Sequence, residues 1–313
     1  MNKALLILLM ALLPLPTLAY KGPVIDMHFH ALPGAESGGP ELPRNQATTA
    51  AAMAALQEYN IVLAAISGPE AYLDAWPAKL ESTELLKGVI FPCVAGKNPS
   101  SRRYSCYRPE HASADGNFPD IDWLRAQYAS GNYAVMGELY NQYAGISFND
   151  PQMHPYYALA EELGIPVAFH TQSGPPLTAR LCCPAFRLAN GNPLLLEDIL
   201  IRYPKLNVQI MHANPLVYPE VLDLLIQFPK VYVDISPWQL AYTREKFHRL
   251  IKEYADAGLS SRILFGSDGH DFGKALAAYE SAEFLSEAQL EGILCKNAER
   301  FLGRKGLCDK PQD

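Results

Sequence analysis

Residues 24–30 read Val-Ile-Asp-Met-His-Phe-His. The run opens on β-branched apolar residues and closes on two histidines two positions apart. Side chains at that spacing on a strand share a side. His28 and His30 are therefore expected to face one way, into a barrel, with Met27 and Phe29 turned outward onto helices. Two imidazoles offered by one strand make a ready ligand pair for a borderline-soft divalent cation such as Zn²⁺.

Working outward from this stretch, the same unit recurs: a short apolar run rich in β-branched residues, then a helical segment. The runs are Val24–His30, Asn60–Gly68, Leu86–Ala95, Tyr133–Tyr140, Ile165–Thr171, Val208–Ala213, Val231–Ser236 and Ile263–Asp268. Most are continuously apolar, as parallel strands buried on both faces require. Helices are expected over Ala47–Tyr59, Ala71–Leu85, Ile121–Ala129, His154–Leu163, Pro193–Arg202, Pro219–Gln227, Arg244–Ala257 and Lys274–Phe284, with a closing helix at Glu287–Leu302. Asn149-Asp-Pro151 punctuates one helix start, and Gly164-Ile-Pro166 separates that helix from the next strand. Eight alternations in one chain of this length indicate a single (β/α)₈ TIM barrel of the α/β class, with no second domain. A doubly wound open sheet would also alternate, but it would not explain where the polar residues fall.

In such barrels the functional site gathers where the strands finish. The first run ends on His28 and His30, the fourth on Gly137-Glu138, the fifth on Phe169-His170, the sixth on Met211-His212 and the eighth on Gly266-Ser267-Asp268. Of eight histidines, four sit at these ends. His154 and His248 lie on helices, and His111 and His270 in loops. One histidine closing an apolar run is commonly a satisfied core residue. Four of them, with two carboxylates at the remaining ends, point to a metal site at the C-terminal ends of the strands.

This order of residues resembles the amidohydrolase superfamily over nearly all of residues 20–313. The stretches HPYYALAEELGIPVAFHTQSG, NVQIMHANP and RILFGSDGHDFG are similar to its amidohydrolase-related branch of metal-dependent hydrolases and decarboxylases. The resemblance implies a divalent metal held by His28, His30 and Asp268, with Asp268 also the proton acceptor and His170 a further ligand. It makes His212 either a ligand or a donor to the substrate. Glu138, in VMGEL, looks like the bridging glutamate of TatD-type deoxyribonucleases. As a bridge it implies two ions, His28, His30 and Asp268 on one and His170 and His212 on the other; otherwise one ion remains. Asp26 is expected to orient the paired histidines from behind.

Residues 1–19, MNKALLILLMALLPLPTLA, show a lysine, an apolar run broken by Pro14 and Pro16, and a small-residue ending, the order of a secretory signal peptide. Residues 20–313 would then form the barrel domain, in a secreted or periplasmic protein. The net charge of −7 and the lack of a basic block argue against nucleic acid or an anionic membrane as partner. A small-molecule substrate is expected; the oligomeric state, a homo-oligomer included, is left open. All six cysteines follow residue 19, and in an oxidising compartment Cys93–Cys106 and Cys295–Cys308 are the expected bridges. Adjacent Cys182 and Cys183 are a poor pair for one metal.

Substrate choice should lie in the loops. That after the third strand holds Arg102, Arg103, Arg108 and His111, and that after the fifth holds Arg180 and Arg187. Arginine forks suit carboxylates, and Trp238, after the seventh strand, can pack on a substrate ring or cover the barrel rim. The function expected is metal-dependent hydrolysis of an amide, lactone or ester of a small, carboxylated substrate. The alternatives are a non-oxidative decarboxylase with a similar metal site, and a catalytically dead binding protein. For the leader the expected outcome is concrete: N-terminal sequencing of the native protein starts near Tyr20 in an exported fraction, and Met1 retained in the cytosol refutes it.

Overall fold

A computed structural model describes residues 20–31, 49–93, 106–114 and 116–309. The proposed leader lies outside these residues, as do Arg102 and Arg103. The eight strands are β1 (Val24–His30), β2 (Ile61–Gly68), β3 (Glu84–Val89), β4 (Met136–Leu139), β5 (Val167–His170), β6 (Val208–Met211), β7 (Val231–Asp234) and β8 (Ile263–Leu264). They pair parallel and in sequence order, as a three-stranded arc β1-β2-β3 and a five-stranded arc β4-β5-β6-β7-β8. Between the arcs, single hydrogen bonds replace a regular ladder. At β3/β4 the amides of Ala134 and Val135 donate to Lys87 O and that of Tyr140 to Phe91 O. At β8/β1 Met27 N donates to Phe265 O and Asp268 N to His28 O. The result is the expected (β/α)₈ barrel. Gly88 shows how tight the first seam is, since a Cβ there would sit 2.5 Å from Val135 O and 2.7 Å from Gly137 O.

The surrounding layer follows the sequence pattern where caps are strong. The helices are α1 (Thr49–Glu58), α2 (Glu70–Leu73), α3 (Ile121–Ala129), α4 (Asn141–Ala144), α5 (His154–Leu163), α6 (Thr178–Leu181), α7 (Glu197–Arg202), α8 (Glu220–Gln227), α9 (Trp238–Ala241), α10 (Arg244–Asp256), α11 (Phe272–Glu280), α12 (Glu287–Glu291) and α13 (Asn297–Leu302). Asp120 and Thr243 cap α3 and α10, each accepting from a backbone amide of the first turn. Asp271 does the same for α11, which therefore begins two residues before the expected Lys274.

Two expectations fail here for identifiable reasons. The helix expected over Ala71–Leu85 is a single turn. Pro77 cannot continue it, and an antiparallel bridge between Lys79 and Glu84 turns the chain straight into β3. The short α2 leaves a groove of ≈ 470 Å³ outside β3, lined by Glu70, Lys87, Arg108, His111, Trp123 and Tyr133 among others. The second failure is Met27. β1 pairs Asp26 with Ala64 but Phe29 with Ile66, so three steps on β1 meet two on β2, a β-bulge. Phe29 faces outward as expected, its ring 5.6 Å from Trp76 and 5.8 Å from Phe272. Met27 instead turns inward with Ile25, Leu63, Ala65, Val135 and Leu264.

That inner cluster is the floor of the site. Cys295, Ala298, Phe301 and Cys308 plug it from the far end, leaving a residual space of ≈ 10 Å³, room for no more than about one water. A π-helical turn, Gly292–Lys296, joins α12 to α13, and Asn297 Nδ2 donates to Ser260 O and Ile263 O to fix α13 on β8. The bridges Cys93–Cys106 and Cys295–Cys308 are both present, and Cys182 is bonded to Cys183. Because Phe29 is 1% exposed and anchors β1 to the helical layer, Phe29→Ala should cost about 3–5 kcal/mol. Denaturant unfolding reads this, and a loss below about 1 kcal/mol would refute the anchoring role.

Candidate metal centre

The bulge that turns Met27 inward also brings His28 inward directly above it, and His30 follows one turn of the pleat later. His28 is held by its back. Its Nδ1 donates to Asp234 Oδ2 at 3.1 Å and lies 3.1 Å from Ser236 Oγ. Asp234 is held in turn by Gln209 Nε2 at 2.9 Å, and it accepts from Ser236 N and Oγ. With Nδ1 committed, the lone pair of His28 Nε2 points to the barrel axis, buried and without a hydrogen-bond partner. His212 is set in the same way, its Nδ1 donating to Ser236 O at 2.5 Å. Asp234 and Ser236, at the end of β7, thus aim two imidazoles at once.

Glu138 stands where these rings converge, 1% exposed. Its Oε2 lies 3.6 Å from His28 Nε2 and 3.4 Å from His30 Nε2. Its Oε1 lies 2.5 Å from His170 Nδ1 and 3.5 Å from His212 Nε2. The preceding Gly137 makes this possible. Its φ is +113°, and a Cβ would meet Ala168 O at 2.5 Å, so only glycine fits there. Asp268 closes the ring from β8, its Oδ1 2.9 Å from His30 Nε2 and 3.5 Å from His28 Nε2, with Oδ2 3.5 Å from His270 Nε2. His212 and Asp268 both hold positive φ, 60° and 55°. Such left-handed backbone is rare outside glycine and gathers at functional sites.

Electrostatics bind the cluster. Burial alone would push the Glu138 carboxyl up, but His170, His212 and His28 outweigh it and hold the group well below the usual range. Asp268 is likewise raised by burial and brought well below by His270, His30 and His28. Burial pulls His28 down, yet Asp234 and Glu138 together lift it well above its ordinary value. At His170 burial prevails and favours the neutral, ligand-competent ring.

The donor set fits a divalent cation. His28, His30 and Asp268 bring ligand atoms within 4.8 Å of one another, and so do His28, Glu138 and His212. His28 Nε2 is buried without a partner, and His170 turns its Nδ1 toward Glu138 and His212. Imidazole nitrogens and carboxylate oxygens facing one another suit an ion of the zinc kind. Residues 111–304 match the amidohydrolase family model.

The chain belongs to the amidohydrolase family. That family is metal-dependent, and this amidohydrolase is an enzyme of the wider superfamily. A curated relative, the fluG protein of Emericella nidulans, is 26% identical over 85 residues, 27% of this chain; the match spans 10% of that protein's length. Among solved structures, a TIM-barrel protein from Bordetella bronchiseptica is similar at a TM-score of 0.64 and 16% identity, over 92% of this chain and 100% of that one. A 2,6-dihydroxybenzoate decarboxylase from Rhizobium is similar at 0.55 and 15% identity, over 90% and 99%. At these identities the structures establish the fold.

The amidohydrolase brings His28, His30, Glu138, His170, His212 and Asp268 into one cluster. Of the residues assigned to substrate, those among the described residues lie elsewhere. Arg108 pairs with Glu70 and Asp74 in the groove outside β3, where His111 also meets Glu70. Arg180 sits exposed on α6. Trp238 Nε1 donates to His212 O at 2.8 Å, and its ring stacks on Tyr242 at 4.9 Å, so it braces a cluster residue from outside. Asp26 does not touch either imidazole. It accepts from His28 N, Ser267 N and Ser267 Oγ, tying β1 to β8, and burial, only partly offset by these bonds, pushes its carboxyl up to about 7. Asp26 thus holds His28 by its backbone, while Asp234, Ser236 and His270, which the sequence does not single out, hold side chains of the cluster. The available signal was Asp234, a carboxylate closing the apolar run VYVD. Asp234→Ala should lower metal affinity about 10–100-fold while the fold survives. Competition with a chromophoric chelator measures this, and unchanged affinity would deny Asp234 its aiming role.

Proposed function

We propose that the protein is a metal-dependent hydrolase acting with an activated water on an amide, lactone or ester of a small substrate. The observation that carries this reading is Glu138: a buried carboxylate with one oxygen toward His28 and His30 and the other toward His170 and His212. Such a carboxylate would lie between two ions, with His28, His30 and Asp268 to hold one and His170 and His212 the other. Zn²⁺ matches the imidazole-rich donors best.

When bound, the ions lower the pKa of a water from 15.7 to about 7 and polarise the scissile carbonyl. The chain's own groups do the rest. Asp268, 15% exposed on its side chain where the other carboxylates are buried, takes the proton of the attacking water and returns it to the leaving group. His270, beside Asp268 Oδ2, keeps that carboxylate turned toward the axis. Asp234 and Ser236 hold His28 and His212 fixed, so the site needs no reorganisation as charge develops. The leader-like residues 1–19 and three disulfides support a periplasmic or secreted location for this activity.

The test uses metal-loaded protein and a panel of carboxylated esters, lactones and amides together with carboxylated aromatic acids, following the released acid by chromatography and CO₂ in parallel. Acid release without CO₂ is expected. CO₂ release from carboxylated aromatic acids would overturn hydrolysis in favour of a decarboxylase. Asp268→Asn should lower kcat by about 10²–10⁴ with the circular-dichroism spectrum unchanged, and Glu138→Gln should reduce bound metal from two equivalents to one. Full turnover after exhaustive chelation would remove the metal from the reading.

A further inference from the structure

The bridge between Cys182 and Cys183 plays no part in this chemistry, and it differs in kind from the other two. Cys93–Cys106 and Cys295–Cys308 each span 13 residues and restrict the unfolded chain by closing a loop. Neighbouring residues close no such loop, so their bond acts only where it stands. It stands in residues 172–191, after β5. There Cys183 and Phe186 are buried with the partly buried Cys182 and Tyr143 in a small apolar cluster separate from the main core. Two of its four members are the bonded cysteines.

This cluster seats the segment on α4, the turn that follows Glu138. The Tyr143 ring meets Phe186 edge-on at 5.1 Å and His170 at 4.9 Å. Arg187 N donates to Gln142 O, and Gln142 Nε2 donates to Gln172 O at 2.5 Å. The fit is close, since a Cβ on Gly145 would fall 2.4 Å from Ala185 O, and one on Gly174 2.6 Å from the Tyr143 hydroxyl. On the outer side Leu177, Leu181 and Leu188 are 62%, 54% and 58% exposed. A segment fastened by so few buried contacts opens at low cost when one is removed.

We propose that Cys182–Cys183 is a thiol–disulfide exchange site for dithiol reductants, and that its oxidised form clasps residues 172–191 onto α4 with Tyr143 against His170. A reductant thiolate attacks the more exposed sulfur, that of Cys182, and the S–S bond breaks. Cys183 leaves as thiolate and takes up a proton. The second thiol of the reductant then resolves the mixed disulfide, freeing Cys182 as a thiol and leaving the reductant as a cyclic disulfide. Two electrons and two protons pass to the protein.

Arg180 and Arg187 flank the bridge and are exposed, so trypsin reads the state of the clasp directly. The experiment treats the full chain as isolated with dithiothreitol, blocks thiols with iodoacetamide, maps adducts by peptide mass spectrometry, and follows native cleavage after Arg180 and Arg187. Adducts on both Cys182 and Cys183 and about tenfold faster cleavage are expected, because proteolysis tracks the open population. The double variant Cys182→Ser/Cys183→Ser should be cut at that faster rate without reductant, and reductant should add nothing. The proposal is overturned by unchanged cleavage once both cysteines carry adducts, by a reductant effect that persists in the variant, or by a pair that resists alkylation until circular dichroism reports unfolding. Should the variant not fold, the wild-type protein under the circular-dichroism control decides.

Discussion

A carboxylate sealed from water among four imidazoles is the constraint around which this barrel is arranged. A bare charge at the Glu138 position would carry a desolvation cost of several kcal/mol, and the protein meets it with His28, His30, His170 and His212, one or two from each of three other strands. Each ring needs its own support. Asp234 and Ser236 hold two of them, Ser67 Oγ stands 3.3 Å from His30 Nδ1, and the rings of Tyr143 and Tyr140 meet His170 edge-on at 4.9 and 5.9 Å. The polar centre therefore dictates what many residues around it must be, down to the glycine preceding Glu138.

Much of this was legible in the sequence because strand-end chemistry violates the apolar pattern. Histidines and carboxylates closing buried runs announce themselves one by one, and all six fall into one cluster. What stayed hidden depends on register and on contacts between distant segments. The β1 bulge is invisible to a period of two, which is why Met27 was expected on the wrong face. Asp26 and Asp234 both stand within apolar strands, and only the placing of β7 behind His28 gives the second of them the aiming role. The truncated α2 is a local matter that Pro77 could have signalled. Charge in a loop says nothing about which carboxylate will claim it, and Arg108 is claimed by Glu70 and Asp74.

The rim is built more loosely than the centre. The segment after β5 is seated on α4 through one small cluster and a few hydrogen bonds. Rigid strands carrying the reactive groups and lightly fastened loops carrying selectivity are the usual division of labour in this architecture. Here the division runs through Tyr143, whose ring touches both the cluster at His170 and the loop at Phe186.

The sheet is hydrogen-bonded as two arcs, and the six clustered residues do not fall on one of them. His28 and His30 belong to the three-stranded arc, and Glu138, His170, His212 and Asp268 to, or just beyond, strands of the other. A cation held by this set would act as a rivet across both seams. Tightness of metal binding and cohesion of the barrel would then be one linked quantity: whatever loosened a seam would weaken the grip on the ion, and whatever stripped the ion would leave each seam to its few backbone hydrogen bonds.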